Sequence, residues 1–404
     1  MSNERLSVAI VVPRYGREVG GGAERLAREY ALRLADRFEV TVLTTCALDY
    51  RTWQDHFPVG ITIEDGVRVI RFSVPVPRNE AQFTELCHRV FEQDHAGASD
   101  EERWMDAQGP NAPDLLAHLA SDDPRYDAVM FIPYVYATTV RGLPLVADRS
   151  ILVPALHDEP SLRLSIFAPI LESACALIVS TPEEAELAVT RFAGDPSKMH
   201  LVGAGVDPPA ASDSRLFRDA FGLSRPYVVA VGRVDPSKGA EHLISYHDRL
   251  RRHDPDAPDL VLIGPSSMAI PERPWLHATG FLDDALKNSA IAGAVALVCP
   301  SPFESLSLVL LEAWSHGIPT VCSATSTVLV GQSRRAGAGI WYRDGDEYAE
   351  CVGLVHRTPA LARALGVSGR RFAQGLSWST TIDGLASVVV EVADAARTSR
   401  PDAE

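Results

Sequence analysis

Pro300-Ser-Pro-Phe-Glu-Ser-Leu-Ser-Leu-Val-Leu-Leu-Glu-Ala-Trp-Ser-His-Gly-Ile-Pro319 is the stretch around which the chain is organised. Residues 294–299, just before it, form a short apolar run with the character of a buried strand. Residues 301–307 read as a tight polar turn, and 308–316 as a helix that stops at Gly317. Strand, loop and helix N-terminus therefore meet here. In a parallel α/β sheet such a junction is where ligands sit, because unpaired backbone N–H groups and the positive end of the helix dipole point into the crevice. Ser305 or Ser307 is placed to cap the helix, which leaves the N–H groups of Leu306, Ser307 and Leu308 as donors suited to a phosphate. Glu304 precedes those donors and Glu312 lies inside the helix; eight residues at about 100° each bring both to roughly the same side. A carboxylate repels phosphate and suits hydroxyl groups. Two acids flanking an anion site point to a ligand with sugars on both sides of a diphosphate. The alternative is a capped helix with one exposed and one ion-paired glutamate.

Length and composition bound that reading. A chain of 404 residues is long enough for two domains, each with its own core. Its 46% hydrophobic and 23% charged residues are those of an ordinary globular protein. A formal net charge of −15 argues against a general nucleic-acid binder, so an anionic ligand has to be held by a local cluster of cations. The six cysteines (Cys46, Cys87, Cys175, Cys299, Cys322, Cys351) are scattered without a Cys-x-x-Cys pair, as expected of small core residues in a reducing compartment. The apolar run 8–12 is too short for a signal peptide or a membrane span, and Pro13 and Arg14 follow at once. The expectation is a cytoplasmic protein. Arg25, Arg28, Arg33 and Arg37 make the first helix locally basic, which allows weak peripheral contact with an anionic inner leaflet, although Glu24, Glu29 and Asp36 dilute it.

Along the chain, strand and helix patterns alternate. Residues 6–12 are a continuous apolar run, as for a strand buried on both faces. Gly20, Gly21 and Gly22 follow at a strand-to-helix turn, where the lack of Cβ atoms lets phosphates approach the backbone; no G-x-G-x-x-G occurs there, which weakens an oxidoreductase reading. Further strands are read at 38–45, 67–72, 126–133, 150–155, 175–180 and 199–202. The segment 75–113 is less regular, an insertion of the kind that selects a partner or acceptor. His157 stands just past a strand's carboxyl end, in Leu156-His157-Asp158-Glu159-Pro160. Gly203-Ala-Gly-Val-Asp-Pro-Pro209 marks a linker, and the plan then repeats. The strand 227–231 leads into Gly232-Arg233-Val-Asp-Pro-Ser-Lys238-Gly239, a compact cationic clamp for a diphosphate that fails the order of a P-loop because Ser237 precedes the lysine. Asp254 and Asp256 sit in a Pro-rich loop and read as solvated acids rather than a metal site.

Together, Glu304 and Glu312 with seven residues between them and the Gly-Arg…Lys-Gly turn resemble the signatures of the retaining nucleotide-sugar glycosyltransferases with the GT-B fold, family 4 (group 1) type. The resemblance covers nearly the whole chain; it is strongest over 227–322 and weakest over 75–113. It implies two Rossmann-like α/β domains facing each other across a cleft, here an acceptor-side domain 1–206 and a nucleotide-sugar domain 207–376. A helix 377–397 returns to the first domain, followed by a disordered tail 398–404. It implies that Glu304 contacts the transferred sugar, Glu312 the ribose, and Arg233 and Lys238 the leaving phosphates. His157 faces the reacting sugar, through its ring or its carbonyl, and Gly20, Gly21 and Gly22 lie against the diphosphate. Gly264 and Phe281 enclose the base. Relatives often have Gly and Phe after the first glutamate where this chain has Ser305-Leu306-Ser307, which leaves the donor sugar open. The expected co-substrates are a UDP- or GDP-linked sugar and a hydroxyl acceptor such as a glycan, a glycolipid or a cell-envelope precursor, with no metal and no other cofactor. Two rival readings are a UDP-sugar epimerase of the same architecture and a non-catalytic nucleotide-sugar-binding subunit.

Overall fold

The structure, a computed structural model, describes residues 5–92, 97–121, 123, 125–192, 194–208 and 213–398. The chain divides into two compact units, Met1–Gly203 with Ser379–Glu404, and Ala204–Trp378. The division falls three residues before Val206, in the linker read from the sequence; Pro209 of that linker lies outside the described residues.

The first unit is built on eight strands: β1 (Ser7–Val11), β2 (Glu39–Thr45), β3 (Gly60–Glu64), β4 (Val67–Phe72), β5 (Ala128–Phe131), β6 (Ser150–Leu152), β7 (Ala176–Val179) and β8 (Met199–Leu201). Their order is β3-β4-β2-β1-β5-β6-β7-β8, parallel throughout except for the antiparallel β3–β4 pair. Val8, Ala9, Ile10 and Val11 have no accessible surface, because helices cover the sheet on both faces. Strand β3 was not legible as an element. At the sheet edge its Ile61 and Ile63 are 59% and 68% exposed, so no burial pattern marks it. The irregular 75–113 segment contains the helices Glu80–Glu92 and Ala98–Gln108, joined around buried Trp104, whose ring meets Phe83, Phe91 and Phe167 at 6.1, 5.5 and 6.3 Å.

The last helix, Trp378–Thr398, buries Ile382, Leu385, Val389 and Val392 in this same unit. Arg397 pairs with Asp127 at 2.9 Å, and Arg37 with Asp383. Thr398, read as the start of a disordered tail, instead closes the helix by donating to the Asp394 carbonyl at 2.8 Å; 399–404 lie outside the described residues. The basic face expected on the helix Gly22–Leu34 is offset by acids: Arg28 pairs with Asp65 and Arg33 with Glu29. Among the described residues no helix is long and apolar enough to cross a membrane.

The second unit has six parallel strands: β9 (Tyr227–Val231), β10 (Asp259–Ile263), β11 (Leu276–Gly280), β12 (Leu297–Cys299), β13 (Thr320–Ser323) and β14 (Gly339–Tyr342). They run in the order β11-β10-β9-β12-β13-β14. This is the doubly wound order in which the first strand lies at the centre and the direction of winding reverses beside it. One face packs around Trp314, fully buried and edge-on to Phe372 at 5.7 Å. The other face holds a histidine. His247, on Ala240–His253, is fully buried, with Nδ1 2.8 Å from the Tyr348 hydroxyl and Nε2 3.0 Å from the Pro258 carbonyl.

Burial depresses the His247 pKa to about 4, since the charged imidazolium has no solvent there. An imidazole buried neutral stabilises the fold fully above its unfolded pKa near 6.5, and that contribution is lost as pH falls toward 4. The loss expected for this one group is on the order of 3 kcal/mol. Urea unfolding at pH 7.5 and pH 4.5 measures it: the difference in stability between the two should shrink in His247→Gln relative to wild type, and an unchanged difference would exclude His247 as its source.

Candidate functional site

In the second unit the winding reverses between β9 and β12, so the loops leaving their carboxyl ends lie side by side. Local chemistry shapes each. Asp235, 5% exposed, accepts from the Ser237 hydroxyl at 2.6 Å and from the Lys238 N–H at 2.9 Å, which caps the short turn Pro236–Lys238. Gly239 follows with φ +76°; a Cβ there would stand 2.5 Å from the Pro300 carbonyl oxygen, so the two loops touch only because residue 239 is glycine. Gly264, at the end of β10 with φ +140°, would put a Cβ 2.0 Å from the Gly232 carbonyl oxygen. Its glycine serves the packing of the loop that carries Arg233. Phe281, one residue beyond β11, is 66% exposed.

This contact brings Lys238 and Glu304 together. The Lys238 ammonium lies 2.9 Å from Glu304 Oε1 and 3.4 Å from both the Ser301 hydroxyl and the Phe303 carbonyl. Burial works against its charge, but Glu304 more than offsets that and holds the Lys238 pKa above its ordinary value. Arg233 Nε is 3.5 Å from Asp235 Oδ2. The second glutamate has its own cation: Glu312 Oε1 is 3.1 Å from Nζ of Lys287, which also pairs with Asp284 at 2.7 Å.

Three expectations need correction. The helix starts at Leu308 as read, which leaves Glu304 in the loop, so the helical period does not relate it to Glu312; each acid is drawn to a different lysine. Ser307 occupies the N-cap position without a side-chain cap bond. Its N–H, counted above as a phosphate donor, is taken by the side-chain oxygen of Gln332 at 2.9 Å, from the helix Thr327–Ala336. Gln332 is 3% exposed and pins the loop from inside. That leaves the N–H groups of Leu306 and Leu308, with half-buried Ser305 beside them, as the donors of this loop.

In the first unit, the triple glycine is anchored by a cation. Arg14, 6% exposed, donates to the Gly20 carbonyl at 3.1 Å and the Leu48 carbonyl at 3.0 Å and forms an ion pair with Glu24 in the first turn of Gly22–Leu34. Burial opposes the Arg14 charge, and Glu24 outweighs it to leave the pKa raised. A Cβ at Gly21, whose φ is +148°, would fall 2.0 Å from the Glu24 carboxylate, whereas Gly20 and Gly22 have nothing within 4 Å. The backbone of the turn is thus held from behind and open in front.

His157 follows β6. Its Nδ1 is 3.5 Å from Glu159 Oε1, which accepts from the buried Tyr134 hydroxyl at 2.8 Å. The His157 carbonyl accepts the Glu159 N–H at 2.7 Å. Asp158 turns away to Arg191 at 3.0 Å. Pro75, Pro110 and Pro113 of the region read as acceptor-selecting line a hollow of about 290 Å³ together with Leu116 and Arg141.

Arg14, Tyr134, Glu159, Lys287 and Gln332 were not singled out from the sequence. Only two left a trace there: Glu159 stands two residues after His157, and Lys287 follows Asp284 by one helical turn.

Residues 225–356 match the family model described as Glycosyl transferases group 1. Over 251 residues the chain is 30% identical to the D-inositol 3-phosphate glycosyltransferase of Kribbella flavida, covering 55% of this chain and 58% of that one, so it spans about three fifths of that relative's length. Sucrose-phosphate synthase from Thermosynechococcus elongatus superposes with a TM-score of 0.71 at 20% identity, over 97% of this chain and 100% of that one. Anabaena HepE, solved in complex with UDP and glucose, superposes with a TM-score of 0.68 at 17% identity, over 95% and 99%. The segment 225–356 thus belongs to the glycosyl transferases group 1 family, and the chain has the fold of the GT-B glycosyltransferases.

Proposed function

We propose that the chain transfers a sugar from a nucleoside-diphosphate sugar, UDP- or GDP-linked, to a hydroxyl acceptor, with retention at the anomeric carbon and without a metal. The observation that carries this is the meeting of Lys238 and Glu304 at the reversal point of the second sheet, with Arg233 on the same turn. A leaving diphosphate gains negative charge as the glycosidic bond breaks. Arg233, Lys238 and the N–H groups of Leu306 and Leu308 stabilise that charge best in the transition state, which is what lowers the barrier. The two side chains supply the positive charge that a divalent cation would otherwise bring. Lys238 sits among three oxygen acceptors, so its ammonium can swing from the carbonyl of Phe303 to a phosphate oxygen while Glu304 keeps one of its protons engaged.

Glu304 then orients the hydroxyls of the transferred sugar, and Glu312, fixed by Lys287, accepts from the ribose. His157, steadied by Glu159, faces the sugar with its ring, and the open backbone of Gly20 and Gly22 admits the diphosphate and the acceptor. In the retaining course the acceptor enters on the leaving-group face, and a departing phosphate oxygen takes its proton. The HepE structure, with UDP and glucose bound to the same fold, supports a nucleotide-sugar donor. The apolar hollow beside Pro110 suits acceptor selection, because its lining favours the non-polar part of an acceptor over a bare sugar.

Nucleotide release from a panel of UDP- and GDP-sugars tests the reading. Arg233→Ala, Lys238→Ala and Glu304→Ala should each lose more than about tenfold in kcat/KM, about 1.4 kcal/mol of barrier; full activity in all three ends the proposal. Nucleotide binding is testable without turnover. The cognate nucleoside diphosphate at about 100 times its Kd should add about 2.7 kcal/mol of stability to the wild type, read as a rise in Tm. Lys238→Ala should lose most of that rise, and an undiminished rise would remove Lys238 from the site.

A further inference from the structure

The loop that aims His157 does not hold itself. Residues 153–157 leave β6 through Ala155, whose φ of +55° is a left-handed conformation costing a residue with a Cβ about 1–2 kcal/mol. The support comes from the next strand along. Glu184, in the first turn of Pro182–Phe192 after β7, is 1% exposed. Its Oε1 accepts the Leu156 N–H at 2.7 Å and its Oε2 the Ser180 N–H at 2.7 Å, and the Ala155 N–H adds a weaker pull on the same carboxylate. The Glu184 N–H donates to the Thr181 hydroxyl at 3.2 Å, which seats the turn.

Every partner of the carboxylate is a donor. An acceptor-only group is therefore required: a protonated acid or an amide would aim hydrogens of its own at N–H groups that already point inward. Its charge is felt by Tyr30 of Gly22–Leu34, fully buried and donating to the Gly203 carbonyl at 2.6 Å. A buried charge held by dipoles alone is costly to keep, more than a tie between two strand ends needs. We propose that Glu184 is a positioning residue, whose carboxylate fixes the Ala155-Leu156 backbone and so aims the His157 ring at the sugar; this rests on the sugar-facing assignment of His157 made above. Burial, against the pull of the three N–H groups, lifts the Glu184 pKa to about 7, so acidification frees the loop by protonating its anchor.

Glu184→Gln tests this, with folding checked by circular dichroism. Its kcat for sugar transfer should fall at least about tenfold while the donor KM and the thermal shift by nucleotide stay at wild-type values. The wild type should lose kcat below about pH 7, and the variant should lack that limb. Glu184→Gln combined with His157→Ala should be no slower than His157→Ala alone, because one residue acts through the other. Wild-type kcat in Glu184→Gln, or multiplied losses in the double variant, overturns the proposal. Wild-type transfer by His157→Ala instead overturns the assignment of His157. Should Glu184→Gln fail to fold, the amide proton resonances of Leu156 and Ser180 in the wild type decide: they should titrate together near pH 7, and resonances that do not move overturn the proposal.

Discussion

One ion pair, Lys238 with Glu304, is what the second unit is arranged to make. The two residues are 66 positions apart and stand on loops that leave different strands. They meet because β9 is central and β12 is its neighbour across the reversal, and because Gly239 lets the first loop lie against Pro300. Asp235 from one side and Gln332 from the other fix the two turns. Removing any of these supports loosens the geometry of the pair before touching its charge. With Lys238 one third exposed, solvent screens the pair, so its worth lies in orientation rather than in stability.

The first unit solves a similar problem with more deeply buried charges. Arg14 grips the triple-glycine turn through a carbonyl and through Glu24, and Glu184 ties the His157 loop to the end of β7 through the N–H groups of Leu156 and Ser180. In both, a buried ionisable side chain supplies the hydrogen bonds that irregular backbone at a strand's end cannot make for itself. Each loop is thereby held in place without regular structure.

Much of the fold was legible because parallel strands buried on both faces write themselves as apolar runs. The run at Val8–Val12 and that at Tyr227–Val231 needed no partner to be read. The cationic turn was legible for a related reason: Gly232, Arg233, Lys238 and Gly239 lie within eight residues, and turn chemistry is local. What could not be read was whatever depended on a distant side chain. The Ser307 N–H reads as available from its own turn, but Gln332, 25 residues on, accepts it. Glu304 and Glu312 do not share a helical face, because the helix starts at Leu308, where the sequence places it, and periodicity cannot be carried back into the turn that holds Glu304. Strand β3 stayed hidden because its apolar residues face outward at an edge.

The most direct test is a crystal structure of the protein with a nucleoside diphosphate bound. The account predicts the diphosphate oxygens within hydrogen-bond distance of Arg233, Lys238 and the N–H groups of Leu306 and Leu308, with the ribose on Glu312. A diphosphate seated elsewhere, with the Lys238 ammonium unmoved among its protein partners, would contradict it.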